Sequence, residues 1–136
     1  MVGPVSDFAP PQIDGLEVRQ PVNPAGMREL LRLARVVALP SRAEGMPMIL
    51  TEAMSAGRPF VSTAVGGIPE LAREGGALVP VDDEVSLAKC LIAFLADPQL
   101  ALARGEQGRE FCSSTRSVEV VGARLRELYL MASQGL

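Results

Sequence analysis

The chain is expected to fold as an α/β protein, with a Rossmann-like parallel sheet and flanking helices. Three observations predict this. Up to about residue 82, short apolar runs alternate with helical patterns in the order strand, helix, strand, helix, strand, helix, strand. The helical segments between the runs suit right-handed crossovers, which join parallel strands. One run, RVVAL (residues 35–39), is apolar almost throughout and stops at Pro40, the pattern of a strand buried on both faces.

The elements follow in order. Residues 1–15 are rich in Pro and Gly and read as an irregular segment; residues 16–136 form the domain. LEVRQPV (residues 16–22) reads as a short strand. Asn23 is a good helix N-cap and Pro24 suits a first helical position, with Met27, Leu30, Leu31 and Ala34 on one face of the helix that follows. After RVVAL comes a helix over about residues 47–56, with Pro47 near its start and Gly57 as its stop. PFVST (residues 59–63) is a strand, GGIPELARE a glycine turn and short helix, and GALVPV (residues 76–81) a further strand. Beyond Asp82 only helices are expected, two of them joined at Asp97-Pro98. In the last, Val118, Val121, Leu125 and Leu128 share one face and are expected to cover the sheet.

Composition narrows the function. The 136 residues are 48% hydrophobic and 21% charged, enough for a core, with Ala, Val and Leu carrying the packing because aromatics are only 4%. A net charge of −3 argues against nucleic acid, whose phosphates demand basic contacts. No run approaches the ~20 apolar residues of a membrane-spanning helix, and the start lacks the pattern of a signal peptide. Two cysteines, Cys90 and Cys112, make no disulfide framework, and a cytoplasmic location is expected. Cys90 reads as core. With no histidine in the chain, a Ser-His-Asp or Cys-His site is excluded and a metal site is not expected.

The informative stretch is EGMPMILTEAMSAGRPFVSTAVGGIPEL, which holds Glu44 and Glu52 eight positions apart. The helix after Glu44 points free amides and a partial positive charge into the loop behind a buried strand. Ligands of open α/β sheets bind outside the carboxyl ends of strands, and a diphosphate is a natural guest there. Gly45 leaves room for its approach. Glu52 has Met48, Ile49, Ser55 and Ala56 as helical neighbours, none of them basic, so no local ion pair explains it. A carboxylate on a small apolar face needs another partner. The vicinal hydroxyls of a ribose would serve, since Glu52 lies roughly 7 Å along the axis from the helix start. Glu44 would then reach a group beyond the diphosphate, such as a sugar hydroxyl. Taken singly, each residue also has a structural use: Glu44 as a charge complementing the helix dipole, Glu52 as a solvent-facing residue, Gly66-Gly67 as a plain turn, Arg42 and Arg58 as solvated cations.

In combination, LPSRAEGMPMILTEAMSAGRPFVSTAVGGIPEL resembles the signature of retaining GT-B glycosyltransferases of glycosyltransferase family 4. The shared features are a glutamate, seven residues and a second glutamate (Glu44, Glu52), the preceding Pro40-Ser41, the following Glu52-Ala53-Met54 with Gly57, and the turn Gly66-Gly67 with Pro69-Glu70. The likeness covers roughly residues 16–129. It implies a partial GT-B C-terminal domain that binds a nucleotide sugar and transfers the glycosyl group with retained configuration, without metal or other cofactor. By the same resemblance, Glu44 is catalytic and contacts the donor sugar. The backbone around Gly45, Met46, Pro47, Met48 and Ile49 is the region whose amides hold sugar and diphosphate, Leu50 and Thr51 lie beside phosphates and nucleoside, Glu52 binds the ribose, and residues 20–22 approach the base.

The family pattern has more than this chain carries. Family members have two such domains with the site between them, and the chain is about one third of that length. The N-terminal, acceptor-binding domain is expected to be the missing partner. The first strand and helix of the donor domain, with an Arg and a Lys that grip the diphosphate, are also unmatched. Little or no transfer is therefore expected from the isolated chain. Two other readings stand beside this one: a non-catalytic nucleotide-binding or interaction module of the same descent, and a nucleotide-sugar epimerase, disfavoured because no histidine is present for proton transfer.

Overall fold

The computed structural model describes residues 12–134. Nine elements follow one another: α1 (Pro24–Leu33), β1 (Val37–Leu39), α2 (Met48–Ser55), β2 (Phe60–Thr63), α3 (Ile68–Gly75), β3 (Gly76–Val79), α4 (Glu84–Ala96), α5 (Pro98–Thr115) and α6 (Val118–Gln134). The three strands pair in parallel in the order β1-β2-β3, with Val37 opposite Phe60 and Phe60 opposite Gly76. The α/β parallel sheet with flanking helices is thus the architecture found.

The helix ends form where local chemistry favours them. The Asn23 side chain accepts from the Gly26 amide at 2.8 Å, and Pro24 opens α1 where no amide is needed. Asp83 caps α4 by accepting from the Ser86 amide at 2.9 Å. Asp97 ends α4 and caps α5, receiving the amides of Gln99 and Leu100 at 3.0 Å each.

β2 is the central strand, and all four of its residues are buried. Its alternation divides the core in two, as a period of two requires. Phe60 packs with Leu50, Met54, Ile68, Leu71, Ala72 and Cys112, under the layer formed by α2, α3 and α5. Val61 points to the other face and packs with Val79 and Phe94 beneath α4. Cys90 is half-buried beside that second cluster, as expected of a small apolar side chain. α5 lies close on the rest of the layer. A Cβ at Gly105 would stand 2.1 Å from the Gly57 carbonyl oxygen, so only glycine lets this helix seat against the end of α2.

Four expectations are corrected. No strand forms over residues 16–22; only Arg19 takes part in an isolated bridge. A strand there needs an adjacent strand to pair with, and β1 is the outermost strand on its side of the sheet. For the same reason β1 is not buried on both faces: Val37 and Leu39 are half-buried and Ala38 is exposed, because α4 covers β2 and β3. The strand expected over residues 76–81 ends at Val79, and Asp82 with φ of 59° turns the chain towards α4. Finally, α6 does not cover the sheet. Val118, Val121, Leu125 and Leu128 are all exposed, and α6 packs chiefly on α5. Of the irregular segment expected over residues 1–15, positions 1–11 lie outside the described residues; residues 12–15 hold a turn. No single helix among the described residues is long and apolar enough to cross a membrane.

Candidate functional site

The starts of α2 and α3 meet at the carboxyl ends of β1 and β2, and the loop from Pro40 to Pro47 lies between. Two backbone contacts set its course. The Gly67 amide donates to the Gly45 carbonyl at 2.7 Å. Gly66, with φ of 54°, lies so close to the loop that a Cβ there would be 2.0 Å from the Glu44 carbonyl oxygen and 2.8 Å from that of Gly45. The glycine pair is therefore more than a turn: it is the surface on which the Glu44–Gly45 backbone rests.

Glu44 is half-buried, and its Oε1 accepts from the Ser41 hydroxyl at 2.6 Å. Gly45 is exposed, with open space where its Cβ would be. Pro47 stands at the N-cap of α2, whose first turn has no side-chain cap. The amides of Met48 and Ile49 thus begin a helix with its partial positive end uncovered. Met46 and Met48 are exposed, at 41% and 66%. Pro47 is buried, and Ile49 packs against the Phe60 cluster. Leu50 is fully buried in that cluster, so its side chain builds the core and can meet no ligand. Thr51 is half-buried and Glu52 exposed.

An open cleft of about 850 Å³ runs between α1 and α2. Val22, Met27 and Leu31 line one wall; Met48, Thr51, Glu52, Ser55 and Ala56 line the other. Arg28, Arg32 and Arg58 also border it. The expectation that Glu52 sits on a small apolar face is corrected here. It is exposed, in a cleft also lined by three arginines, two of which come from α1, 20 and 24 positions earlier. Sequence spacing along one helix cannot show a neighbour supplied by another.

The three arginines differ in what they have left to offer. Glu29 grips Arg32 through two hydrogen bonds of 2.8 and 2.9 Å, which raise the guanidinium pKa above its ordinary value. Arg58 donates to the Arg32 carbonyl at 2.8 Å while its Nε is buried without a partner. The side chain of Arg28 has no hydrogen-bond or ion-pair partner among the described residues, and neither has that of Glu52. Arg42 is turned to Asp82 in an exposed ion pair of 2.9 Å and does not border the cleft.

The structure therefore brings Val22, Met48, Thr51 and Glu52 together in the cleft, and leaves Glu44 and Gly45 in the loop before α2. Arg28 and the apolar wall of α1 were not legible as site residues, since Met27 and Leu31 read simply as a helix core face. Ser41 was visible only as part of a motif, and Thr63, which also bonds the loop, carried no signal at all. Among the described residues, no group of three or more His, Cys, Asp or Glu side chains is placed to hold a metal ion.

The sequence pattern of the family described as Glycosyl transferases group 1 matches residues 5–97, well over half of the chain. Among curated proteins, N-acetyl-alpha-D-glucosaminyl L-malate synthase of Bacillus anthracis is 39% identical over 84 residues, covering 60% of this chain and 22% of the relative. Alpha-maltose-1-phosphate synthase of Mycolicibacterium smegmatis is 33% identical over 124 residues, covering 85% of this chain and 32% of the relative. Among solved structures, sucrose-phosphate synthase of Thermosynechococcus elongatus superposes with a TM-score of 0.81 at 28% identity, over 88% of this chain and 31% of that one. The chain thus spans between about a fifth and a third of the length of these relatives. With this sequence match, and with the α/β sheet of a GT-B carboxyl-terminal domain, the chain belongs to the glycosyl transferases group 1 family.

Proposed function

We propose that residues 16–136 are the donor-binding half of a retaining GT-B glycosyltransferase of family 4, which binds a nucleotide sugar and needs no metal. The observation that carries this reading is the cleft between α1 and α2, where an unpaired carboxylate, Glu52, stands in the second turn of a helix whose first turn is uncapped. That arrangement suits a nucleoside diphosphate. The diphosphate would meet the amides at Met48 and Ile49 and the positive end of the helix. The ribose hydroxyls would donate to Glu52, and the base would rest on the apolar wall near Val22. Thr51 lies on the path between ribose and phosphates. Glu44, beyond the helix start, is the residue we assign to the transferring sugar. Charge developing on the leaving diphosphate would be met by the helix dipole and by nearby cations, a preorganised effect that needs no bound metal.

Transfer also needs an acceptor half, which we assign to an amino-terminal GT-B domain supplied by the rest of a longer chain or by a partner. The relatives' greater length supports this division. The same fact favours a second reading, in which the chain serves as a nucleotide-binding or interaction module without transfer of its own. Both place the protein in the cytoplasm, where nucleotide sugars are at hand.

The test is calorimetric titration of the chain with UDP, GDP, ADP and their glucose or mannose conjugates, with Glu52→Ala as the comparison. Saturable binding without added metal is expected, and the favoured base names the donor class. Loss of the charge-assisted hydrogen bonds to ribose should weaken binding by about 1.5–3 kcal/mol in Glu52→Ala. Equal affinity in both proteins would remove Glu52 from the ribose, and no binding by the folded chain would overturn the reading of the cleft. Transfer activity by the unaided chain would refute the division into halves.

A further inference from the structure

We propose that Ser41 is a positioning residue for the Glu44 carboxylate, anchored in turn by Thr63 from the central strand. The proposal rests on the reading of Glu44 as the group that meets the donor sugar.

The observations form a chain of contacts from the core to the loop. Thr63 ends β2 and is 2% exposed. Its hydroxyl donates to the Ser41 carbonyl, and the adjacent Ser62, fully buried, donates its hydroxyl to the Leu39 carbonyl at 2.6 Å. Two successive side chains of the buried strand thus bond the backbone where the chain leaves β1. Ser41 then donates its own hydroxyl to Glu44 Oε1 at 2.6 Å. On the other side, Gly66 and Gly67 hold the Glu44 and Gly45 carbonyls. The side chain of Glu44 is thus met by Ser41, and its backbone rests against the turn before α3.

A free glutamate in a loop samples several rotamers, and a carboxylate that must meet one sugar hydroxyl gains from being held in a single one. Ser41 leaves Oε2 free of any bond among the described residues, so one oxygen is held and the other is available. A hydroxyl that only filled out the loop would have no need to end on the carboxylate. It could bond a backbone group instead, as Ser62 and Thr63 do.

The test has two arms, both on the purified chain. The first is side-chain NMR relaxation of Glu44 in selectively 13C-labelled protein, the signal identified with Glu44→Gln. The Glu44 side chain should be restricted in the wild type, averaged among rotamers in Ser41→Ala, and restricted again in Ser41→Thr, which keeps the hydroxyl. Thr63→Val should release it in part. A Glu44 side chain as mobile in the wild type as in Ser41→Ala overturns the proposal, and this arm needs no ligand. The second arm compares affinities for UDP-glucose and UDP. Ser41→Ala should lower their ratio roughly tenfold, with the melting temperature nearly unchanged, and Ser41→Thr should restore it. A wild type that does not distinguish the two ligands defeats the reading of Glu44, and the relaxation arm still decides the role of Ser41. An unchanged ratio in Ser41→Ala, with discrimination intact in the wild type, overturns the proposal.

Discussion

Replacing Gly66 by alanine should cost both stability and the shape of the site, and the size of each effect can be worked out. The new Cβ would lie 2.0 Å from the Glu44 carbonyl oxygen and 2.8 Å from that of Gly45. The turn and the loop must part by about 1 Å to bring the first contact even to the tight limit near ~3 Å. The Gly67 to Gly45 hydrogen bond, now 2.7 Å, would then stretch past the useful range of ~3.2 Å and lose about 1 kcal/mol. Alanine at φ of 54° adds about 1–2 kcal/mol of backbone strain. The total, about 2–3 kcal/mol, should lower the melting temperature by roughly 8 °C for a domain of this size. Thermal denaturation followed by circular dichroism reads the first effect; titration with UDP-glucose reads the second, since displacing the loop carries Glu44 with it. Gly45→Ala is the control for the melting temperature alone, because its Cβ would meet no protein atom within 4 Å. A Gly66→Ala protein that melts within a degree of the wild type would refute the claim that this turn supports the Glu44 loop.

Further outcomes are expected. Glu44→Gln should weaken UDP-glucose more than UDP, measured by calorimetry; equal losses would move Glu44 off the sugar. Phe60→Ala empties the centre of the larger core cluster and should cost about 3–5 kcal/mol by urea denaturation; a cost below about 1 kcal/mol would mean that the cluster closes up or is not the main core. At Asp83, hydrogen bonds first from the Ser86 amide and then from its hydroxyl hold the carboxyl below its ordinary value of 3.8. The carboxylate's contribution is then fully present above about pH 4 and lost as pH falls through the depressed folded value. Asp83→Asn, which keeps a capping oxygen, should show a flatter fall in stability below pH 4 than the wild type; identical acid profiles would contradict the cap.

Local chemistry made much of the fold legible. The Asn23 cap, the Asp97-Pro98 junction, the prolines at helix starts and the glycine after α2 each act within a few residues, so their effects can be read in order along the chain. What failed was non-local. Residues 16–22 have a strand's composition, but a strand is only made by pairing, and among the described residues no strand runs beside β1 on that side. The apolar spacing of Val118, Val121, Leu125 and Leu128 correctly predicts a helix, yet all four stay exposed, because spacing does not say whether anything lies against the face. The same division holds in the site. Glu44, Glu52 and the helix between them could be found from spacing and helix electrostatics. Arg28 could not, because α1 brings it to the cleft that Glu52 also lines only through packing. Nor could the contact of Gly66 with the Glu44 backbone, since a glycine pair reads the same whether it merely turns or also supports a loop.

The central claim is that the cleft between α1 and α2 is where a nucleotide lies. The most direct test is to titrate 15N- and 13C-methyl-labelled chain with UDP and GDP and map the perturbed signals. The account predicts saturable shifts concentrated at Val22, Met27, Met48, Thr51 and Glu52, with Glu44 and Gly45 moving further when the sugar is attached. Saturable shifts confined to another surface, such as the exposed face of α6, would contradict it.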